Sequence, residues 1–155
     1  MPSVAVAPPV VSGTTRATTA NLGFLLAKAS QRWNELLHAH FSEHGFAEVR
    51  PAYGSILVPL FEEDGLRIGE LARRARLAKQ TMTTMVRLLE RDGLVTREPD
   101  PSDGRAMCVH LTERARSFQP VAERVLADLD RLVGRSLGSD RVGRLATDLQ
   151  QISDL

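Results

Sequence analysis

From Lys79 to Asp92 two stripes of opposite character alternate at helical spacing. Gln80, Thr83, Thr84, Arg87 and Arg91 fall on one side, and Met82, Val86 and Leu89 on the other. Lys79 and Thr81 occupy the first turn. A glutamine amide matches the donor and acceptor of an adenine edge, a threonine methyl matches the thymine methyl, and a guanidinium grips guanine or a phosphate. Three threonines between positions 81 and 84 are poor helix formers, so helix propensity does not account for them. Taken alone, the stripe reads equally as a solvated face. A second cluster, Asp100-Pro101-Ser102-Asp103-Gly104-Arg105, ends in a single cation. On a projecting hairpin, Arg105 can enter a narrow minor groove, where the negative potential is deepest. Asp103 is placed to orient this or another arginine by a charge-assisted hydrogen bond. The cluster fails as a calcium loop. With Gly104 on the obligatory glycine, Pro99 and Pro101 fall on ligand positions, and His110 falls where a glutamate is needed.

Other residues have the chemistry of a small-ligand or metal site. Trp33 and Tyr53, the sole tryptophan and tyrosine, can line an aromatic pocket with His40, and Arg50 can receive a ligand carboxylate. Core packing is the alternative for Trp33. His38, His40 and His44 gather at one helix end, and the i, i+4 pair His40/His44 can chelate zinc. Phe41 follows His40, so the glutamate of a metalloprotease HExxH is absent. Ordinary helix-end histidines are the competing reading, and no metal site or cofactor is expected. Cys108 is the single cysteine, which excludes an internal disulfide or a cysteine-based zinc cluster and reads as a small hydrophobe. No GxSxG, P-loop or GxGxxG segment appears, so no catalytic residues and no enzyme are expected.

The elements that position these residues follow from periodicity. The chain has 155 residues, about one domain, with 43% hydrophobic and 25% charged residues, close to the globular average. Net charge is only +1, from 18 arginines and 2 lysines set against 19 acidic residues. Between Arg67 and Arg97, however, eight basic residues face three acidic ones, a local surplus consistent with a nucleic-acid partner. No run approaches the roughly 18 apolar residues of a membrane span. The segment Pro2 to Thr15 has three prolines and no lysine or arginine, unlike a signal peptide. A cytoplasmic chain with no membrane partner is expected. Residues 1–18 lack periodicity and read as a flexible arm, leaving 19–155 as the folded domain.

A first helix over about 20–44 carries Leu22, Leu26, Ala29, Trp33, Leu36 and His40 on a seam that Leu25, Leu37 and Phe41 widen. Thr18 or Thr19 can cap it, and Gly45 ends it. Pro51 opens a second helix with Tyr53, Ile56, Leu57 and Leu60 inward, stopped at Asp64-Gly65. A third turns Ile68, Leu71, Ala72 and Ala75 inward, and after a tight break the Lys79 helix runs to Gly93. Leu94–Glu98 and Ala106–Leu111 form a hairpin around the turn cluster 99–104. Thr112 caps a helix with Phe118, Val121, Val125, Leu129, Leu132 and Val133 inward and Pro120 inside it. Ser139 caps a last helix with Val142, Leu145, Leu149 and Ile152 inward. The fold class is mainly α with a small β-hairpin wing. A winged helix–turn–helix over about 51–111 is flanked by helices over about 20–44 and 112–154. Their apolar faces exceed what a small core hides, which predicts a homodimer. The second helix of such a motif enters the major groove N-terminus first, and this setting tips the polar stripe towards DNA.

Glu70-Leu71-Ala72, the Lys79–Leu89 helix, the run Leu89 to Arg97, and Asp103-Gly104-Arg105 through Leu111-Thr112 resemble the MarR family of winged helix–turn–helix regulators. The resemblance covers about residues 20–153. Ala115 stands where the family often has glycine, and Ala78 where a capping serine is usual. The resemblance implies a two-fold dimer built from the first and last helices, double-stranded DNA with a pseudo-palindromic operator as partner, and a small-molecule cleft between the dimer helices and the DNA lobe. Many such proteins are repressors released by aromatic anions. The redox branch uses a cysteine near the start of the first long helix, where this chain has none. The function expected is a sequence-specific DNA-binding transcriptional regulator, a repressor released by a small aromatic or anionic ligand. Lys79, Gln80, Thr81, Thr83, Thr84, Arg87, Asp103 and Arg105 are the expected DNA residues, and Trp33, His40, Arg50 and Tyr53 the ligand residues. The alternatives are a regulator or architectural protein without an effector, and a metal-responsive regulator.

Overall fold

The computed structural model describes residues 16–155, so the expected arm at 1–18 lies almost wholly outside the described residues. The order is α1 (Leu22–Glu43), a 3-10 turn (Pro51–Tyr53) leading into α2 (Gly54–Glu62), β1 (Leu66–Arg67), α3 (Ile68–Ala75), α4 (Lys79–Arg91), β2 (Val95–Asp100), β3 (Asp103–Leu111), α5 (Glu113–Leu137) and α6 (Ser139–Ser153). The chain divides into two units, one ending at Trp33 and one starting at Asn34, and α1 runs through the boundary.

The described part of the first unit is chiefly the start of α1. Its cap is Asn21 rather than Thr18 or Thr19: Asn21 Oδ1 accepts the Gly23 N–H at 2.9 Å. The asparagine stands immediately before the first helical residue, where its side chain reaches an orphan amide that the threonines cannot. Leu22, Phe24 and Leu25 are 62, 41 and 50% exposed.

The second unit holds the core. Tyr53 from the 3-10 turn, Ile56, Leu57 and Leu60 from α2, Leu71 from α3, and Met82, Val86 and Leu89 from α4 are all buried, as their spacing predicts. Phe118 of α5 meets the Phe41 ring edge-on at 4.8 Å and the Phe46 ring at 5.2 Å. Helix ends share one device. At α4, Gly93 (φ +77°) lets the Leu94 N–H reach the Leu89 carbonyl at 2.9 Å, while both leucines are buried. The end of α3 closes the same way, with Leu77 N–H on the Ala72 carbonyl at 3.0 Å, but the left-handed position is taken by Arg76 (φ +53°).

The wing differs from a two-stranded hairpin. β1 adds to it, giving the antiparallel order β1-β3-β2, with Leu66 opposite Val109 and Arg67 opposite Cys108. Two residues are too few to leave an alternating pattern in the sequence. The strands also run further into the turn cluster than expected, so Asp103–Arg105 are strand residues. Thr112 Oγ1 caps α5 by accepting from Ala115 N–H at 3.3 Å, and donates to the Gly93 carbonyl at 2.7 Å. Ala115, Phe118, Ala122, Val125 and Leu129 form the buried stripe of α5. Val121 and Val133 are half-buried, and Leu132, beyond the last core residue, is 42% exposed.

α6 departs most from expectation. Gly138, not Ser139, is the N-cap, and it offers no side chain. No α6 residue is buried, and Leu145, Leu149 and Ile152 are 41, 39 and 39% exposed, because α6 packs chiefly along α5. Among the described residues no helix is long and apolar enough to cross a membrane.

Candidate nucleic-acid interface

α3 and α4 meet through a short turn, and α4 starts at Lys79 behind Ala78, which makes no side-chain cap, as its chemistry requires. Lys79, Gln80, Thr81, Thr84 and Arg87 are exposed along α4, and Thr83 is half-buried. The Thr83 and Thr84 hydroxyls donate to the Lys79 and Gln80 carbonyls at 2.9 and 3.1 Å. The backbone thus takes their hydroxyl protons and leaves the oxygens as acceptors beside the apolar methyl groups.

Ion pairing rewrites the charge count. Of the eight basic residues between Arg67 and Arg97, six are held by carboxylates. Arg73 and Arg74 share Glu70 at 2.6 and 2.9 Å, and Arg74 also reaches Glu63 at 3.0 Å. Arg67 pairs with Asp100 at 2.5 Å, Arg76 with Asp154 at 3.1 Å, Arg91 with Asp92 at 3.1 Å and Arg97 with Glu90 at 2.9 Å. The two arginines on Glu70 hold its carboxyl down at about 2, and Arg97 holds Glu90 below the usual carboxylate range. Lys79 and Arg87 form no ion pair among the described residues, nor does Arg105 at the start of β3. The surplus counted along the chain is therefore mostly internal. Within the helix–turn–helix and wing, what remains for an outside anion among the described residues is two cations on α4 and one on the wing.

Asp103 acts differently from its expected role. Its Oδ1 accepts the backbone N–H of Arg105 at 3.1 Å rather than a guanidinium. The carboxylate that does grip an arginine is Asp100, to which sequence reasoning gives no role of its own. Its one signal is its place at the head of a proline turn. Cys108 is 7% exposed, and burial pushes its thiol up, in keeping with a small core residue.

Tyr53 is 2% exposed and donates its hydroxyl to Asp92 Oδ2 at 2.6 Å, so its polar end is already engaged. Burial, then Asp92, push the phenol up, while Tyr53 and Arg91 hold Asp92 below its usual range. Arg50 is exposed before the 3-10 turn, and Trp33, in the first unit, is half-buried. His40 Nδ1 lies 3.7 Å from Glu43, His44 Nδ1 2.8 Å from the His40 carbonyl, and His38 Nε2 3.2 Å from the Ala47 carbonyl. Two of the three rings thus serve the backbone. Among the described residues no three His, Cys, Asp or Glu side chains gather to hold a metal ion.

The MarR family model matches residues 51–107, from the 3-10 turn to the wing. An HTH-type transcriptional regulator of Mycobacterium leprae is 33% identical over 99 residues, which is 61% of this chain and 68% of the relative. The chain belongs to the MarR family. Among MarR-like solved structures, the transcriptional repressor CouR bound to a 23-mer DNA duplex has a TM-score of 0.75 at 26% identity, over 90% of this chain and 99% of that one. The PcaV regulator of Streptomyces coelicolor, in complex with its natural ligand, has a TM-score of 0.76 at 22% identity, over 91% and 98%. Other curated relatives, named as HTH-type regulators and repressors, are covered over 33 to 62% of their own length. The curated relatives are named as transcriptional regulators.

Proposed function

We propose that the protein is a sequence-specific DNA-binding transcriptional regulator, a repressor acting as a homodimer on a pseudo-palindromic operator. The observation that carries this is the selective release of charge: among the described residues Lys79, Arg87 and Arg105 form no ion pair on α4 and the wing, while six neighbouring arginines are held by carboxylates. The likeness to a repressor bound to DNA supports the same reading. In it, the winged helix–turn–helix of about 51–111 is the DNA lobe. Gln80, Thr81, Thr83 and Thr84 read base edges, Lys79 and Arg87 hold phosphate or guanine, and Arg105, set by Asp103, enters the minor groove. The helices of about 20–44 and 112–154 dimerise. The exposed Leu145, Leu149 and Ile152 on α6, and Leu22, Phe24 and Leu25 on α1, are the surfaces such an interface would cover. In this reading the protein works on DNA in the cytoplasm.

The finer reading is release by a small aromatic or anionic ligand, supported by the PcaV neighbour solved with its ligand. Trp33, His40, Arg50 and Tyr53 are the residues proposed for it, Tyr53 through its ring because Asp92 holds its hydroxyl. A ligand that releases DNA loses affinity for the DNA-bound form by the same factor. Trp33 fluorescence and DNA affinity should therefore respond together to a panel of aromatic acids. Footprinting tests the main proposal: the protein should protect two half-sites about one helical turn apart, centre to centre. A single asymmetric half-site would contradict it.

A further inference from the structure

The wing tip is built in a way that needs outside support. Its turn, Asp100 to Asp103, has proline at the second position, and no residue from 100 to 105 has a positive φ. Tight hairpins favour turns with a left-handed residue because their twist matches the strands, and other two-residue turns splay them. The ladder is also irregular between Pro99 and Asp100, and Pro99 has no N–H to give. Towards the tip from Cys108, the last residue of β3 that β1 pairs with, the hairpin has no further strand beside it among the described residues.

Side chains supply what the ladder lacks. Arg67 and Glu98 both stand opposite Cys108, so the three form a row across the sheet on one face. From β1, Arg67 reaches across β3: its Nε donates to Asp100 Oδ2 at 2.5 Å and its terminal nitrogen to Ser102 Oγ at 3.3 Å. The other oxygen of Asp100 accepts the Ser102 N–H at 2.8 Å and hydroxyl at 2.7 Å. One carboxylate thus closes the turn and anchors it. The Asp100 side chain is only 10% exposed, although the tip around it is open. Ser102 and Arg67 hold its carboxyl well below the usual range. Arg67 is itself the N-cap residue of α3, a place where serine or threonine would bond the helix, yet it makes no cap. Its side chain is spent on the wing.

We propose that Arg67 is a positioning residue for DNA binding: bridging Asp100 and Ser102 from the start of α3, it fixes the wing tip to the helix–turn–helix and so aims Arg105. The inference rests on the DNA-binding reading above. Arg67 acts through Arg105, not through the phosphate backbone.

The test uses the full-length protein and the tightest duplex that the wild type selects from a random-sequence library. Affinity is measured for Arg67→Ala, Asp100→Asn, Arg105→Ala and the Arg67→Ala/Arg105→Ala double variant, with thermal melts alongside. Arg67→Ala should weaken binding about three- to tenfold alone and much less when Arg105 is already alanine, because coupled sites are not additive. Asp100→Asn discriminates most sharply. Removing a negative charge near DNA should tighten binding if only the field matters, but loss of the clamp should weaken it. Arg67→Lys keeps the charge without the two-pronged reach and should recover only part of the affinity. If Arg105→Ala weakens binding while Arg67→Ala costs the same in both backgrounds, or Asp100→Asn tightens binding, the positioning role is wrong and the DNA reading stands. If Arg105→Ala has no effect, the wing's part in DNA binding falls, and the clamp's role with it.

Discussion

Tyr53→Phe isolates a hydrogen bond that ties the start of the winged lobe to the end of α4. The ring is 2% exposed and stays packed in the variant. Only the hydroxyl leaves, and with it a 2.6 Å bond to Asp92. Hydrogen bonds to charged groups contribute about 1.5–3 kcal/mol. Asp92 keeps Arg91 at 3.1 Å, and its side chain is 17% exposed, so water can replace part of the loss. The cost should lie near the lower end, about 1.5–2 kcal/mol, or about 3–8 °C in melting temperature for a chain of this size. The bond also carries a pH signature. Tyr53 is the largest cause of the lowered Asp92 carboxyl. A depressed carboxyl contributes stability that is present above its unfolded value, about 3.9, and is lost as pH falls through the folded one. The gap between wild type and variant should therefore be full at neutral pH and close below about pH 4. Thermal melts at one fixed protein concentration across an acid series measure this. Equal melting temperatures at neutral pH, or a gap that persists unchanged into acid, would refute the reasoning.

Arg76→Gly should raise the melting temperature, since it relieves a left-handed residue at φ +53°, a strain of about 1–2 kcal/mol. The bonds that Arg76 makes to Asp154 and the Ser153 carbonyl are exposed and contribute little; a lower melting temperature would mean they matter more. Leu149→Glu places a charge on the exposed apolar stripe of α6 and should shift the protein to monomer in light scattering with its helical signal retained, whereas an unchanged mass would remove α6 from the interface. Gln80→Ala should relax base preference at one position per half-site by about 1–3 kcal/mol, read from selection on randomised duplexes; an unaltered preference would take Gln80 off the base edges.

Local patterns carry into the structure, and distant pairings do not. Met82, Val86 and Leu89 are buried because a helical period leaves them no other face. Gly45 and Gly93 end helices because they reach φ values that other residues avoid. β1 is invisible in the sequence because two residues make no period. The cap of α1 is ambiguous there because Thr18, Thr19 and Asn21 all have capping chemistry, and only the start of the helix chooses among them. The charge surplus misleads for a physical reason. Arg67 finds Asp100 and Arg76 finds Asp154, partners 33 and 78 residues away, so a count over a window cannot see the neutralisation. Periodicity on α6 marks Leu145, Leu149 and Ile152 as apolar without saying which surface covers them.

In the proposed complex unpaired cations, not basic residues in general, meet the DNA. This is tested by operator affinity across a salt series for Lys79→Ala, Arg87→Ala and Arg105→Ala beside Arg73→Ala. Arg73 is the control: its side chain is 73% exposed, but its Nε and Nη2 donate to the two oxygens of Glu70, at 2.9 and 2.6 Å. The first three substitutions should each weaken binding and reduce the slope of log K against log salt by roughly one for each phosphate no longer neutralised, while Arg73→Ala should leave affinity and slope near wild type. A slope lowered by Arg73→Ala as much as by Arg87→Ala, or unchanged by all four, would contradict it.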